Sequence, residues 1–344
     1  MSDFVPFNID AVLPKPGEAD FSQFLKVLKG EEPDRPTLFE FFLNPRLLQK
    51  LSGMEISPEM SWIEMQKVRL AAFQRAGYDY LTVKVPGFAF TVGEQEHAAS
   101  ISQNDGAMIF DRESMDAYPW QEPEDAGYDL VEEFSSFVPE NMKMVIWGPG
   151  GVLENAISLV GYEKLCLLIM DDPEFAMALF ENIGGRLELY YQFAAPLNKV
   201  GACISNDDWG FKTQTLFSPR AMRKFVFPWH TKIVEQIHAA GIPAILHSCG
   251  NFSRVIDDIV DDMKFDARHS YEDNIWPVEE AYETLQGRIA VLGGIDVDFV
   301  CRSTPEAVYE RSKRLLAQVK GRGGYALGTG NSVPEYVQMR AISL

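Results

Sequence analysis

Cationic side chains are in short supply in this sequence. Lysine and arginine number 31 against 50 aspartates and glutamates, a formal charge of −19 over 344 residues. A field of that sign repels nucleic acid and anionic lipid at long range, and it suits a polyanionic substrate only where a local basic pocket receives it. Cysteine is scarcer still. The four residues at 166, 203, 249 and 301 are too dispersed for a disulfide framework, which predicts a reducing compartment. No apolar run reaches the length of a membrane span. The opening residues Met1-Ser2-Asp3-Phe4-Val5-Pro6 lack the apolar core of a secretory signal. These absences predict a soluble, cytoplasmic protein that engages neither nucleic acid nor membrane. A dinucleotide fingerprint is missing too: Gly148-Pro149-Gly150-Gly151 has neither the G-x-G-x-x-G spacing nor a phosphate-loop lysine.

What is present is a globular composition, 46% apolar, with an alternating pattern. Eight short apolar runs, at 37–42, 78–85, 143–147, 201–205, 243–247, 265–269, 288–293 and 325–328, are separated by helix-period segments. Ser218-Pro219, Thr304-Pro305 and Asp172-Pro173 each read as an N-cap followed by proline at the first helical position, and Gly77 stops the pattern over 58–76. Eight strand–helix alternations predict an α/β fold, a (β/α)8 TIM barrel formed as one domain over 1–344. It has an N-terminal helical extension within an arm at 1–35. A long insertion after the second strand, 86–142, reads either as a lid or as a surface excursion with its own small core. A doubly wound open sheet shares the alternation.

Barrel chemistry sits at the C-terminal ends of the strands. The run ends supply Glu40, Lys84, Trp147, Asp207 and Asp208, His247 and Cys249, His269 and Tyr271, Asp296, Thr329 and Asn331. His247 and Cys249 project the same way from a strand's end and make half of a zinc site. Adjacent carboxylates point to opposite sides of an extended chain, so one of Asp207 and Asp208 faces the mouth. Asp207 is the candidate general base or cation binder, and Asp208 a substrate contact. Lys84 and Glu40, each inside an apolar run, are catalytic candidates that can also pair with each other. His269 reads as a ligand, a general acid or a satisfied core histidine. Trp147, Tyr271, Asp296 and Asn331 are candidate substrate contacts. His97, His230 and His238 read as loop or helix-surface residues, and Cys166 and Cys203 as core.

Several motifs in order resemble the uroporphyrinogen decarboxylase superfamily. They are Asp34-Arg35-Pro36, Asp207-Asp208-Trp209-Gly210, Ser218-Pro219, His247-Ser248-Cys249-Gly250-Asn251, Gly293-Gly294-Ile295-Asp296, Thr304-Pro305-Glu306 and Gly323-Gly324-Tyr325. The resemblance runs from about residue 34 to the C-terminus and implies a (β/α)8 barrel. That superfamily holds decarboxylases and zinc-dependent methyltransferases that work with corrinoid proteins. The arginine-rich decarboxylase signature is absent, because Leu38-Phe39-Glu40-Phe41-Phe42-Leu43-Asn44 stands in its place, and Lys84 or its neighbours stand where decarboxylases carry an aspartate. His247 and Cys249 match two zinc ligands of the methyltransferase branch, while Thr329 stands where its third ligand, a cysteine, is expected.

The resemblance therefore implies transfer of a methyl group between a small O-, N- or S-methylated compound, or a thiol, and a corrinoid carried by a partner protein. Zinc would be held at His247 and Cys249 with Glu40, Asp207 or His269 completing the shell, or the site would work without metal. A tetrapyrrole decarboxylase and a non-catalytic small-molecule-binding barrel are the other two readings. Only residues 332–344 follow the eighth run. A short closing helix there leaves an apolar flank, which predicts a homo-oligomer.

Overall fold

The structure is a computed structural model, and it describes residues 17–93 and 106–333. Seven strands form one sheet in sequence order: β1 (Tyr80–Lys84), β2 (Lys143–Trp147), β3 (Val200–Asn206), β4 (Ala244–His247), β5 (Ala267–His269), β6 (Ala290–Leu292) and β7 (Tyr325–Ala326). Helices intervene between successive strands, and β3–β4 and β6–β7 pair in parallel. Sequential parallel order with crossover helices is the TIM-barrel-like α/β class.

The chain divides into two compact units. One comprises Met1–Thr82, Phe134–Met144 and His269–Leu344, and the other Val83–Glu133 and Val145–Arg268. In the first unit, the 37–42 run is not a strand but a single parallel bridge, Leu38 to Leu327. Phe39 N–H donates to the Leu327 carbonyl and Leu327 N–H to the Thr37 carbonyl. On the opposite edge of the run the Glu40 N–H donates to the Tyr80 hydroxyl at 2.7 Å, and that hydroxyl donates back to the Glu40 carbonyl. A side chain has replaced a backbone partner there, so seven strands stand among the described residues where eight were expected. Of the N-terminal arm, the helix Phe21–Leu28 is described; Asp20 caps it, and the buried Asp79 accepts from both the Asp20 N–H and Arg35. The closing segment expected beyond 333 lies outside the described residues, as does His97.

The proline-marked helix starts are where the pattern placed them. Asp172 caps Pro173–Ala194, Ser218 caps Pro219–Phe225 and Thr304 caps Pro305–Val319, each through its side-chain oxygen. Ser61 and Glu64 form a capping box at Trp62–Ala76, which ends at Gly77 in the left-handed region. Within 86–142 the helices Arg112–Ala117 and Tyr128–Ser135 flank a 3-10 turn. Phe88, Phe90, Tyr118 and Trp120 pack ring on ring there, with Phe88 also against Tyr190. Cys203 is buried, but Cys166 is only half-buried. Its helix, Tyr162–Asp171, turns Leu167 and Met170 outward at 64% and 78% exposure, so the apolar run there is no sign of core.

In the second unit the helices Pro173–Ala194 and Phe227–Ala239 approach through Gly184, where a Cβ would overlap the Trp229 indole. Gly185 beside it faces open space. Opposite signs are expected from the same substitution at the two positions. Gly184→Ala destabilises by about 1–3 kcal/mol through overpacking. Gly185→Ala stabilises by about 0.5–1 kcal/mol through helix propensity. Urea unfolding of both variants beside the parent checks the pair. Equal shifts would overturn the packing assigned to Gly184.

Candidate functional site

The second unit builds its site from the ends of β3 and β4. Their register pairs Cys203 with Ala244, Ile204 with Ile245, Ser205 with Leu246 and Asn206 with His247. Beyond the strands the two chains stay zipped. Asp207 N–H donates to the His247 carbonyl at 3.0 Å, and Trp209 N–H to the Ser248 hydroxyl at 3.3 Å. Cys249 N–H donates to Asp208 Oδ1 at 3.0 Å, and Asn251 N–H to the Phe211 carbonyl at 2.9 Å. The approach requires glycine at 250 and leaves little room for a side chain at 210. Gly250 has φ +104°, and a Cβ on it would overlap the Gly210 backbone. Asp207-Asp208-Trp209-Gly210 and His247-Ser248-Cys249-Gly250-Asn251 are thus two halves of one structure.

That structure brings together ligand atoms of Asp208, His247 and Cys249, all within 4.8 Å of one another. His247 is buried, and Asp208 and Cys249 are partly exposed. One thiol, one imidazole and one carboxylate are the donor types zinc takes. Three protein ligands with a fourth position open is the catalytic arrangement. Bond lengths of about 2.0–2.3 Å put the ligand atoms of a tetrahedral shell roughly 3.5 Å apart, so small side-chain rotations close the group around an ion. The donor set fits zinc.

Asp207 is turned the other way. Its carboxylate accepts from Leu153 N–H at 2.9 Å, Glu154 N–H at 2.8 Å, the Trp209 indole N–H at 2.8 Å and His230 Nε2 at 2.8 Å. Two of those donors are free N–H groups at the start of the helix Val152–Val160, where a carboxylate is stabilised by the helix dipole. Gly151, just before that helix, has no room for a Cβ because the Asp207 side chain fills the space. His230 is fully buried rather than on a helix surface, its Nδ1 meeting the Ser205 hydroxyl at 3.1 Å. The reason is periodicity: His230 shares the inward face of its helix with Phe227, Ile233, Val234 and Ile237.

Glu154 was not among the expected site residues. Burial, reinforced by the charges of Asp207 and Asp208, pushes its carboxyl up to about 8. The signal for it was a lone acid at the third position of a mostly apolar helix following the glycine-rich turn. Lys84 and Trp147 end β1 and β2, with the ammonium 5.5 Å from the indole centroid. Burial lowers the Lys84 pKa.

The remaining candidates stand in the first unit. Glu40 is buried, and Thr329 Oγ1 lies 2.8 and 2.9 Å from its two carboxyl oxygens and also meets the Asn331 carbonyl. One hydroxyl proton cannot serve both acceptors. A neutral Glu40 resolves this by donating to Thr329, which donates onward to Asn331. Burial pushes the Glu40 carboxyl up to about 8, with the Thr329 contacts pulling partly back. His269 is fully buried, its Nε2 3.1 Å from the Thr329 carbonyl and its ring 4.8 Å from that of Phe39. Tyr271 is buried, with its N–H on the Gly330 carbonyl. Asp296 caps the helix Val297–Arg302 and accepts from Asp273 N–H. Asn331 uses its Oδ1 on Ser332 N–H.

Comparison with known proteins adds three findings. The family profile described as uroporphyrinogen decarboxylase (URO-D) matches residues 109–343. A methylated-thiol–coenzyme M methyltransferase of Methanosarcina mazei is 25% identical over 181 residues, 51% of this chain and 46% of the relative. The match thus spans less than half the length of that curated relative. Among solved structures, a methyltransferase from Methanosarcina mazei superposes with a TM-score of 0.67 at 14% identity, over 95% of this chain and 97% of that one, a likeness of fold.

The Glu40 assignment has a signature in stability. Below about pH 4.5 the carboxyl is protonated in both folded and unfolded chains. Between about 4.5 and 8 the unfolded chain ionises while the folded one stays neutral, so unfolding releases a proton and stability falls as pH rises. Above about 8 the loss is complete. Glu40→Gln removes that slope, so the variant's stability relative to the parent rises by on the order of 1.4 kcal/mol per pH unit through the window. Urea unfolding of both proteins from pH 5 to 8 checks this. A constant difference across the range would mean that Glu40 is already charged in the folded state.

Proposed function

The chain belongs to the uroporphyrinogen decarboxylase family, and from that membership we propose that it is a methyltransferase, passing a methyl group between a small O-, N- or S-methylated compound, or a thiol, and a corrinoid carried by a separate protein. The observation that carries this reading is the convergence of Asp208, His247 and Cys249 at the ends of β3 and β4. Both relatives are methyltransferases, and the curated one is named for a methylated thiol. S-methyl compounds are therefore the first substrates to try.

Asp208, His247 and Cys249 would hold zinc. When bound, zinc supplies Lewis-acid stabilisation of charge on a substrate heteroatom, or of a thiolate, at neutral pH. The transfer is an in-line displacement: the carbon–heteroatom bond breaks as the methyl carbon bonds to the acceptor, which supplies the new bond's electron pair, while the old pair stays on the heteroatom and a proton takes up the charge. The chain's own residues set the geometry. Asp208 is oriented by the Cys249 N–H that it accepts, and Asp207 anchors the segment from behind, leaving its neighbour to face the site. Thr329, whose hydroxyl is committed to Glu40 and Asn331, stands where the branch usually has a third cysteine; Asp208 supplies the third donor in this chain.

Two outcomes are expected. The purified protein binds one zinc per chain, measured by metal analysis after dialysis. His247→Ala or Cys249→Ala weakens binding by roughly 100-fold or more in competition with a chromogenic chelator, since loss of even an outer-shell partner costs 10–100-fold. With a reduced corrinoid protein, a methylated thiol produces the methyl-cobalt absorbance, and Cys249→Ala abolishes it. Turnover at the parental rate in zinc-free Cys249→Ala would sink the metal's role. Absence of methyl-cobalt with S-, O- and N-methyl donors alike would sink the methyl-transfer reading.

A further inference from the structure

Three consecutive strands of the second unit end in Lys84, Trp147 and Asn206, on β1, β2 and β3. Tyr190, fully buried in the helix Pro173–Ala194, braces the first two ends: its hydroxyl accepts from Val85 N–H at 3.2 Å and donates to the Trp147 carbonyl at 2.7 Å. The third end is tied to the second, because Gly148 N–H donates to Asn206 Oδ1 at 3.2 Å. That bond settles which arm of the amide is oxygen and leaves Nδ2 as a donor on the other side. The Lys84 ammonium stands 5.5 Å from the Trp147 indole centroid and, among the described residues, pairs with no carboxylate. In a chain carrying 50 acidic side chains, a partly buried lysine without an acid beside it is conspicuous. A ring face offsets part of an ammonium's desolvation but does not neutralise its charge. Strand C-termini are where folds of this class place their substrates.

We propose that Lys84, Trp147 and Asn206 form an anion subsite for the acidic end of the small substrate, a carboxylate or a sulfonate. The ammonium supplies the counter-charge, the Asn206 amide N–H donates to a second oxygen, and the indole covers the methylene chain beside it. Asn206 is the register partner of His247, so the candidate zinc ligands begin one strand further on. Neighbouring strands lie about 4.8 Å apart, which puts the Lys84 and His247 strand ends roughly 14 Å apart along the sheet. Side chains reaching in from both ends shorten that span to a few carbon atoms. The subsite thus sets the class of substrate as a short acid bearing a methylated heteroatom or a thiol. Calling that acid a substrate rests on the methyl-transfer reading; the binding of the anion does not.

The test is equilibrium binding by calorimetry on the whole zinc-loaded protein, with no corrinoid partner present. The probes are 3-(methylthio)propanoate, 3-(methylthio)propane-1-sulfonate and the neutral 3-(methylthio)propan-1-ol. One or both acids should bind roughly 10- to 100-fold more tightly than the alcohol, the range of a charge-assisted hydrogen bond, and which acid does so identifies the anion. Lys84→Gln, with unfolding checked beside the parent, should erase that preference while alcohol binding stays unchanged, and Lys84→Arg should restore part of it. Equal binding of acids and alcohol, an acid preference that survives in Lys84→Gln, or no acid binding up to about 10 mM would each overturn the subsite. If the preference depends on Lys84 but no methyl group reaches a corrinoid protein, the subsite stands and the methyl-transfer reading fails.

Discussion

The candidate site depends on one buried carboxylate that does not itself face it. Asp207 receives N–H donors from Leu153, Glu154, Trp209 and His230, and all but Trp209 come from elements distant in the sequence. The helix Val152–Val160, the Trp209 ring and the helix Phe227–Ala239 are therefore all tied to one point at the end of β3. A carboxyl so deeply placed is tolerable because four donors meet it, two of them from a helix N-terminus. Removing one partner would strand the rest, which makes the cluster stiff. Stiffness there is inherited by the next residue. With Asp207 fixed and Cys249 N–H reaching for the Asp208 carboxylate, the side chain of Asp208 has one way to go.

Two other acids of the chain meet fewer donors. Burial pushes the carboxyls of Glu40 and Glu154 up to about 8. Glu40 meets the Thr329 hydroxyl, which is shared with a carbonyl, and the Thr329 N–H only at 3.4 Å, so the neutral form satisfies the hydroxyl's hydrogen bonding better than the charged one. Glu154 sits next to two other acids and has lost water to share the repulsion with. Burial raises an acid's pKa and hydrogen-bond donors lower it, and at both positions burial outweighs the donors present.

Much of this was legible in the sequence, and the failures are instructive. Proline after a capping residue located three helix starts, because fixed φ and a missing N–H suit the first turn and little else. The strand ends at Lys84, Trp147, Asn206 and His247 were legible from apolar runs. The choice between Asp207 and Asp208 was not. Strand alternation says that the two diverge, but which way is decided by N–H groups of Leu153 and Glu154, more than fifty residues away. His230 was misplaced although its spacing from Phe227, Val234 and Ile237 puts it on the apolar face; its polarity outweighed its position. The 37–42 run failed as a strand for a reason no local pattern holds, the insertion of the Tyr80 hydroxyl where a backbone partner belonged.

The net charge of −19 is the remaining tension, since a strongly acidic protein is an unpromising host for an acidic ligand. Range resolves it. At physiological ionic strength the field of exposed carboxylates decays over about 8 Å, so the global excess slows the encounter of a small anion without setting its affinity. Affinity is set by what stands within a few ångströms, and there the order is reversed. Lys84 is partly withdrawn from water, beside an indole, with its strand end braced by Tyr190. In that setting a single ammonium acts through a lower effective dielectric than any surface acid does. A monoanion can be held by one such group, whereas a tetrapyrrole bearing many carboxylates would need several. The same scarcity of cations that weighs against a polyanionic substrate is thus compatible with a small, singly charged one.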